Sequence, residues 1–460
     1  MTKTKFTRMA YNSADDMVFG RCKKPIKTGF DLEIGSGSTI PEINYAPRPE
    51  ASKSPEKLIS EYDRITNDIL NRMIQLGVPS VVLETEHVQD MTINAKLGSE
   101  IAHIQKTILE EFYDEYGIKC GLRHTIADIR ERKNHLDLKD GRFSLLMECF
   151  DSVASKGADL LSIESIGGKE VFDYSILKND FRGILYSIGC LGAIDVENLW
   201  LEITKIAKKY KSVPAGDTAC SQANTAMFLA GGLLDKNLAH TSAAVIRGAS
   251  ASRSLVANEA GAIGPGKDCG YENVILKAVT GMPVSQCGKS SSCAHSDIMG
   301  NLMMQCCDMW SNESVEYHGE FGGMSVQCWG EVLAYDCSML NAAIETGNDK
   351  ILRDILMVSD RYRDPQGFIL SYDNAYEIGK EITNYTDDTY MRTKKAALKC
   401  CNLLIEGSRN KLNLSRFECT NLEKLRLELK ALTDDSDEFQ NECLDEYTKK
   451  VRGFIPGNYF

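Results

Sequence analysis

The stretch SKGADLLSIES, residues 155–165, decides how the rest of the sequence is interpreted. A lysine–glycine turn leads into a short apolar strand, and a carboxylate stands where that strand ends. Because successive side chains of a strand point to opposite faces, Ser162 and Glu164 share one face. If that face points into a barrel, Glu164 does so at the end of its strand.

The same succession of helix end, turn, apolar strand and polar residues recurs along the chain. It is found in IQLGVPSVVLETE (74–86), YGIKCGLRHTIADI (116–129) and, more weakly, KKYKSVPAGDTACS (208–221), and GMPVSQCGK (281–289) predicts a later strand. Strands that alternate with helices predict right-handed β-α-β units and a parallel sheet. Polar residues after each strand are typical of a TIM (β/α)8 barrel, whose active site lies on that face. Neither GSGST nor GMPVSQCGKS has the glycine spacing of a nucleotide-binding α/β sheet, so we predict the barrel.

The chain divides into three predicted regions. GSGST and PRPEASK are turn and linker chemistry, so residues 1–53 are predicted to form an irregular N-terminal arm on the main body or a partner. Residues 54–391 form the TIM-barrel catalytic domain, with extra helical insertions at 178–210 and 225–260. Residues 392–460 form a charged C-terminal helical segment that packs on the barrel or a partner.

Composition excludes several classes of protein. The formal net charge of −12 argues against nucleic-acid binding, which usually needs a basic face. The longest apolar run, residues 226–234, is too short to span a membrane, and no secretory signal is recognisable. We therefore expect a cytoplasmic protein, in which the 16 cysteines are free thiols and metal ligands rather than disulfides.

Glu164, Cys220 and Cys269 each follow a different strand or strand-like segment. Cys220 stands near a predicted helix N-terminus, and Cys269 stands in a glycine-rich loop beside Lys267; both settings favour a thiolate. Taken singly, each residue also has an ordinary explanation. Glu164 can be a solvated carboxylate, Cys220 a small buried residue and Cys269 a residue of a turn. Together they supply one oxygen and two sulfurs, which predicts a catalytic zinc site with three protein ligands and one open position. The sequence contains no CxxC pair of the kind that structural zinc sites use.

Other cysteines of the sequence are alternatives to this set. Cys287 and Cys293, together with His295, could bind a metal or form a redox pair, but their spacing matches no established ligand pattern. The doublets at 306–307 and 400–401 lie in helical patterns, so one member of each is predicted in the core and the other on the surface.

The stretches LLSIESIGG, PAGDTACSQANTAMFLAGG and GPGKDCGYENVILKAVTG resemble the methanol-binding zinc subunits of methanol:corrinoid methyltransferases of methanogenic archaea. The resemblance covers the whole chain, and the His-x-Cys pattern of another zinc methyltransferase branch is missing from the sequence. The resemblance implies a TIM barrel with one Zn²⁺ held by Glu164, Cys220 and Cys269. It also implies a corrinoid protein partner, in a hetero-oligomer with dimerised catalytic subunits, and transfer of the methyl group of methanol to Co(I).

Hydroxide is a poor leaving group, so such a reaction needs a proton donor at the departing oxygen. Strand position makes candidates of four residues and does not choose among them. They are Glu84, His124, Asp128 and Asp217.

Two other functions remain open from the residues. A barrel hydrolase would pair Glu164 with Glu84 or Asp128 and would need no metal. A non-catalytic subunit would use the barrel only to dock its partner. If the chain is a methyltransferase, the loops after the three ligands face the corrinoid, and Lys169 and Lys267 are the predicted exposed loop charges.

Overall fold

The computed structural model describes residues 5–48, 50–132, 135–231, 237–295, 299–315, 325–386 and 388–460. The strands in these ranges are β1 (Arg21–Thr28), β2 (Leu32–Ser36), β3 (Ile40–Ala46), β4 (Ser80–Glu86), β5 (Lys119–Ile126), β6 (Glu131–Arg132), β7 (His135–Leu136), β8 (Leu160–Ile163), β9 (Val213–Gly216), β10 (Ser285–Cys287) and β11 (Met309–Val315).

The helices surround these strands. They are α1 (Pro55–Gln75), α2 (Gln89–Ile93), α3 (Ala95–Tyr116), α4 (Gly141–Ser155), α5 (Lys169–Ile176), α6 (Phe181–Tyr186), α7 (Ala193–Tyr210), α8 (Thr225–Ala230), α9 (His240–Glu259), α10 (Asn273–Thr280), α11 (Ser290–His295), α12 (Gly300–Met303), α13 (Val326–Glu345), α14 (Asp349–Asp360), α15 (Pro365–Leu370), α16 (Tyr372–Asn384), α17 (Thr389–Ser408), α18 (Arg416–Ala431) and α19 (Ser436–Lys450). Two π-helical turns cover Ser187–Gly192 and Cys220–Asn224.

Seven parallel strands form one sheet in the order β10-β11-β3-β4-β5-β8-β9. The segment 263–268 joins the two edges of this sheet. On one side the N–H groups of Ile263 and Gly264 donate to carbonyls of β9, at 2.8 and 2.9 Å. On the other side Gly266 pairs in parallel with Val284, and the Cys287 N–H donates to the Asp268 carbonyl at 2.9 Å. The sheet therefore closes through an eighth position, and the predicted TIM barrel is confirmed.

Two features of segment 263–268, a proline and a close contact with β9, explain why the eighth position lacks a regular strand. Pro265 has no N–H to give to a ladder. A Cβ added at Gly216 would lie 2.9 Å from the Gly266 Cα, so the two chains approach closely there. Glycine at both positions allows β9 and segment 263–268 to meet directly beneath the strand ends.

The inside of the barrel is polar at mid-height. The Arg123 guanidinium pairs with Glu42, with Nε 2.6 Å from Oε1, and both side chains are fully buried. Arg123 Nη1 also donates to Ser162 Oγ at 2.9 Å. Ser162 therefore faces the interior, as alternation along β8 predicted, and the residue two positions later lies at the mouth of the barrel.

The prediction that residues 1–53 are irregular is wrong. β1 and β2 form an antiparallel hairpin, and β3 is an interior strand of the seven-stranded sheet, between β11 and β4. Ile26, Leu32 and Ile34 of this region share a core cluster with Val82 and Leu160 at the start of barrel strands. The hairpin thus closes the amino end of the barrel, and the turn residues around β3 had hidden its pattern.

The predicted extra helices follow two strands of the barrel. Phe181–Tyr210 is a continuous helix that includes a π turn, and it is long and apolar enough to cross a membrane. Because 83% of its most apolar window is buried inside the protein, it is a core helix.

The C-terminal region is helical and packs on the barrel. The proposed boundary at 391/392 falls inside α17, which lies against α9 so closely that a Cβ on Gly248 would overlap the Cys400 side chain. Phe439, Cys443 and Tyr447 of α19 are buried, four residues apart on one face of the helix. These helices are continuous with the body of the catalytic region.

Candidate metal centre

Glu164, Cys220 and Cys269 converge at the carboxyl ends of the barrel strands. Glu164 follows β8, Cys220 begins the π turn after β9, and Cys269 follows the segment 263–268. Cys269 Sγ lies 2.7 Å from Glu164 Oε1 and 2.7 Å from Cys220 Sγ. Both cysteines are free, and their separation exceeds a disulfide bond of about 2.05 Å. The structure thus brings together the three residues that the sequence singled out.

A cavity of about 370 Å³ opens beside these three side chains. Cys269 is 2% exposed, whereas the Glu164 side chain is 29% exposed, so the sulfur forms the floor and the carboxylate part of the wall. The residues that line the cavity are Glu86, Glu164, Ile166, Lys169, Cys220, Ser221, Asn224, Thr225, Phe228, Cys269 and Glu313.

The donor set fits a zinc ion. Two sulfurs and one carboxylate oxygen would supply three of the four ligands that zinc usually takes, and methanol or water would supply the fourth. Burial, together with the nearby Glu86 charge, raises the pKa of Glu164 to about 7, and burial raises the pKa of Cys220 to about 12. Burial also raises the pKa of Cys269. Each group binds metal in its deprotonated form, so a divalent cation would replace the protons that burial favours.

Two further carboxylates, Glu86 and Glu313, face the same cavity. Carboxylate oxygens of Glu86, Glu164 and Glu313 lie within 4.8 Å of one another. Asn44 Nδ2 donates to Glu86 at 3.0 Å, and burial with the Glu86 charge raises the pKa of Glu313 well above its usual range. Strand alternation could have found Glu86, because it stands two residues after Glu84. No sequence signal pointed to Glu313, since β11 was not predicted.

Lys267 is buried, so the prediction that it is an exposed loop charge is wrong. Its ammonium pairs with the neighbouring Asp268 and lies 3.2 Å from Glu84 Oε1. The same nitrogen is 3.8 Å from Glu164 Oε1 and 3.8 Å from Glu313 Oε1. Lys267 therefore offsets part of the negative charge beneath the cavity rather than meeting a partner protein.

A family profile described as "Methanol-cobalamin methyltransferase B subunit" matches residues 3–460 of this sequence. The chain belongs to the methanol-cobalamin methyltransferase B subunit family. It is 61% identical over 459 residues, with full coverage of both sequences, to a protein of Methanosarcina barkeri (strain Fusaro / DSM 804) named methanol–corrinoid protein co-methyltransferase. The resemblance found in the sequence is thereby confirmed.

The fold of this family member is also similar to a solved structure. The crystal structure of the methanol:cobalamin methyltransferase complex MtaBC from Methanosarcina barkeri contains a chain that superposes with a TM-score of 0.96. The two sequences are 62% identical, and the match covers 99% of each chain.

None of the four predicted proton donors lines the cavity of this family member. Glu84 lies deeper in the barrel, where Thr125 Oγ1 donates to it at 2.5 Å and Lys267 pairs with it. His124 points away from the barrel interior, and its Nδ1 lies 2.8 Å from His87 Nε2. The expectation that His124 is near the active face is therefore wrong, because its neighbour Arg123 takes the inward direction.

Asp128 and Asp217 hold the surrounding backbone. Arg130 Nε and Nη2 donate to Asp128 at 2.9 and 2.7 Å, and the Ile166 N–H donates to it at 3.1 Å. Asp217 accepts from the N–H and Oγ of Ser165 at 3.1 and 2.7 Å. Both carboxylates thus fix the loop that follows Glu164.

The competing cysteines form no second site among the described residues. Cys287 is fully buried, with Sγ 4.0 Å from Asn312 Oδ1, whereas the side chains of Cys293 and His295 lie outside the described residues. Both members of each doublet, 306–307 and 400–401, are buried, so the core-plus-surface prediction is wrong. The 400–401 pair belongs to a helix packed between two others, and residue 307 follows a short 3₁₀ turn.

Proposed function

We propose that this chain is the enzyme that transfers the methyl group of methanol to Co(I) of a corrinoid held by a partner protein, in methanogenesis from methanol. We further propose that Glu164, Cys220 and Cys269 hold one zinc ion for this reaction. The observation that carries the proposal is their convergence at one cavity, in a chain that matches a methanol–corrinoid protein co-methyltransferase over its full length.

The reaction balances with one proton. The C–O bond of methanol breaks, a Co–C bond forms, Co(I) becomes Co(III), and the oxygen leaves as water once it has gained a proton. A bound Zn²⁺ would act as a Lewis acid toward the oxygen of methanol. Attack at carbon comes from the side opposite the leaving group, so the methyl group must point out of the barrel mouth.

The walls of the cavity orient the substrate and limit water. Ile166 and Phe228 give the cavity an apolar part of its lining, in addition to Glu164 and the two cysteines. Excluding water matters because water would compete with methanol for the open position.

Glu313 is the proposed proton donor. It lines the cavity, its carboxylate lies within 4.8 Å of Glu164, and its raised pKa favours the protonated form. Glu86 lines the same cavity and accepts a hydrogen bond from Asn44 Nδ2 at 3.0 Å. Two neighbouring carboxyls can share one proton beside a departing oxygen, because two like charges at such close range are unfavourable.

The geometry gives no support to the hydrolase alternative. Glu84 is engaged by Lys267 and Asp128 by Arg130, so neither faces Glu164 across the cavity. The carboxylates that do face Glu164 belong to a site that also contains two thiols.

We propose that the corrinoid protein docks over the mouth, on the loops after Glu164, Cys220 and Cys269. Lys169 lines the cavity and its side chain is 27% exposed, so it can meet a docked partner. A cytoplasmic location is supported by the free thiols of the described cysteines. Dimerisation of the catalytic subunits stays a prediction.

The experiment that tests the enzyme role uses the purified chain, methanol and free cob(I)alamin without the partner protein. Loss of the Co(I) absorbance, dependent on methanol and on the chain, is the expected result. A folded, zinc-loaded chain that gives no methylcobalamin under these conditions would instead be a docking subunit.

A further inference from the structure

Asn224 is bonded to the Cys220 sulfur. Its Nδ2 lies 2.9 Å from Cys220 Sγ, and the two residues begin and end the π turn Cys220–Asn224. Both side chains line the cavity, and Asn224 is 7% exposed. The wide turn brings the amide onto the same side as the thiol four residues earlier.

The direction of the amide is determined by its other neighbour. Arg247 Nη2 donates to Asn224 Oδ1, and an arginine side chain has donors only. The amide oxygen must therefore face Arg247, which leaves the NH₂ group facing Cys220. The bond to the sulfur is donated by Asn224 and cannot be reversed by turning the amide.

Arg247 is itself held in place on its far side. It is fully buried, and its Nη1 donates to Glu272 Oε2 at 2.7 Å. The other oxygen of Glu272 accepts from the N–H of Ala219 at 3.0 Å and from Ser254 Oγ at 2.8 Å. Because Ala219 precedes Cys220, the network supports the cysteine through its backbone as well as its sulfur.

We propose that Asn224 is a positioning residue that sets the direction and the donor strength of the Cys220 thiolate. The inference rests on the proposed metal site. A hydrogen bond donated to a thiolate withdraws electron density from sulfur, so the bound metal keeps more of its positive charge. With two thiolates and one carboxylate as ligands, such withdrawal preserves Lewis acidity that the ligands would otherwise reduce.

The test replaces Zn²⁺ with Co²⁺ in the full chain and measures two properties without any turnover. One is Co²⁺ affinity, by competition with a chelator; the other is the wavelength of the sulfur-to-cobalt charge-transfer band. Asn224→Leu keeps the volume and removes the donor, and Asn224→Ala is the second variant if Leu does not fold. We expect affinity to fall about 10–100-fold, because the thiolate loses the donor that fixes its direction and stabilises its charged form. We expect the band to move to longer wavelength, because a sulfur without that donor gives up electron density to the metal more readily. Asn374→Leu, which makes the same change at a buried asparagine of α16 whose Nδ2 donates to the Phe368 carbonyl at 2.8 Å, is the matched control and should leave both properties unchanged.

Two outcomes separate failure of this inference from failure of the proposed site. If Cys220→Ala loses the charge-transfer band while both Asn224 variants keep wild-type affinity and wavelength, the positioning role is wrong and the metal site stands. If the wild-type chain with Co²⁺ shows no sulfur-to-cobalt band, the metal site itself is wrong and the inference falls with it.

Discussion

Two groups of potential metal ligands in the described part of the barrel, one of histidines with a cysteine and one of cysteines with a glutamate, differ in their surroundings. In the first, His87 Nε2 lies 2.8 Å from His124 Nδ1, and His87 Nδ1 lies 3.7 Å from Cys149 Sγ. In the second, Cys269 lies 2.7 Å from both of its partners. By residue type alone the histidine cluster is as attractive as the cysteine cluster, but His87 uses Nε2 toward His124 and Nδ1 toward Cys149, so the three ligand atoms do not meet at one point.

The surroundings of the two clusters differ. His87, His124 and Cys149 lie between the strands and the helices, and burial lowers the pKa of both histidines. A Cβ added at Gly98 would come 2.9 Å from His87 Cε1, so helix α3 packs directly on the ring. No space remains there for a substrate, whereas the cysteine cluster opens onto a cavity. We infer that an open, polar strand end, rather than ligand chemistry alone, separates a metal centre from a packed core.

The largest expected effect is on methyl transfer in Cys220→Ala and Cys269→Ala. Loss of a metal that activates methanol should slow transfer to cob(I)alamin by about a thousandfold or more, since each tenfold is about 1.4 kcal/mol and a Lewis acid supplies several kcal/mol. Cys419→Ala, which changes a partly buried cysteine of α18, is the control and should keep the wild-type rate. Equal rates in all three variants would mean that the cysteine cluster is not a reactive centre.

Glu313→Gln should slow methyl transfer by about a hundredfold, the usual contribution of a general acid. The amide keeps the size of the side chain and removes the proton, so metal content should stay at the wild-type level. Glu42→Gln, deeper in the barrel, is a poor control because it breaks the pair with Arg123; Glu345→Gln, at the exposed end of α13, is the better one. A wild-type rate in Glu313→Gln would assign the proton to another group.

The histidine cluster is expected to affect the free energy of unfolding and not the rate of methyl transfer. Burial lowers the pKa of His124 to about 3, so the unfolded chain binds a proton that the folded chain does not. The stabilisation is therefore fully present above the unfolded value of about 6.5 and is lost as pH falls toward 3, by about 1.4 kcal/mol per pH unit. Urea unfolding between about pH 7 and pH 5 should show a steeper loss for wild type than for His124→Gln. The same slope in both proteins would mean that His124 is protonated in the folded state.

The smallest expected effect is at the rim of the mouth. Lys169→Glu should slow transfer to the corrinoid protein severalfold, and slow transfer to free cob(I)alamin less, because only the protein acceptor needs a docked interface. Lys119→Glu changes a lysine at the start of β5, at the opposite end of the barrel, and should affect neither acceptor. Equal effects of Lys169→Glu on both acceptors would place the docking surface elsewhere.

The sequence predicted those parts of the fold whose strands are apolar. β4, β5, β8 and β9 lie where the helix-to-strand patterns predicted them. The alternation along β8 also correctly predicted that Glu164 lies at the mouth of the barrel. β11 was missed because MWSNESV carries polar residues on both faces, with Ser311 bonded to Asp268 inside the barrel. A strand whose inner face is polar gives no apolar alternation to find.

The residues of the site also differ in how far the sequence could predict them. Each of the three predicted ligands comes within four residues of the end of a strand or strand-like segment, so a local pattern was enough to place it at the mouth. Lys267 lies in a glycine-rich loop, which suggested an exposed side chain. Its side chain is instead buried, with its ammonium near carboxylates of β4 and β11. Its neighbours are distant in sequence, and the partners of a buried charge are fixed only when the barrel closes.

The most direct test of the account is the zinc content of four purified chains: wild type, Cys220→Ala, Cys269→Ala and Cys149→Ala. The account predicts one zinc per chain in wild type and in Cys149→Ala, and less than about a tenth of that in the other two, since each has lost one of three protein ligands. Circular dichroism would check that all four are folded. Full zinc in folded Cys220→Ala and Cys269→Ala, or loss of zinc in Cys149→Ala alone, would contradict it.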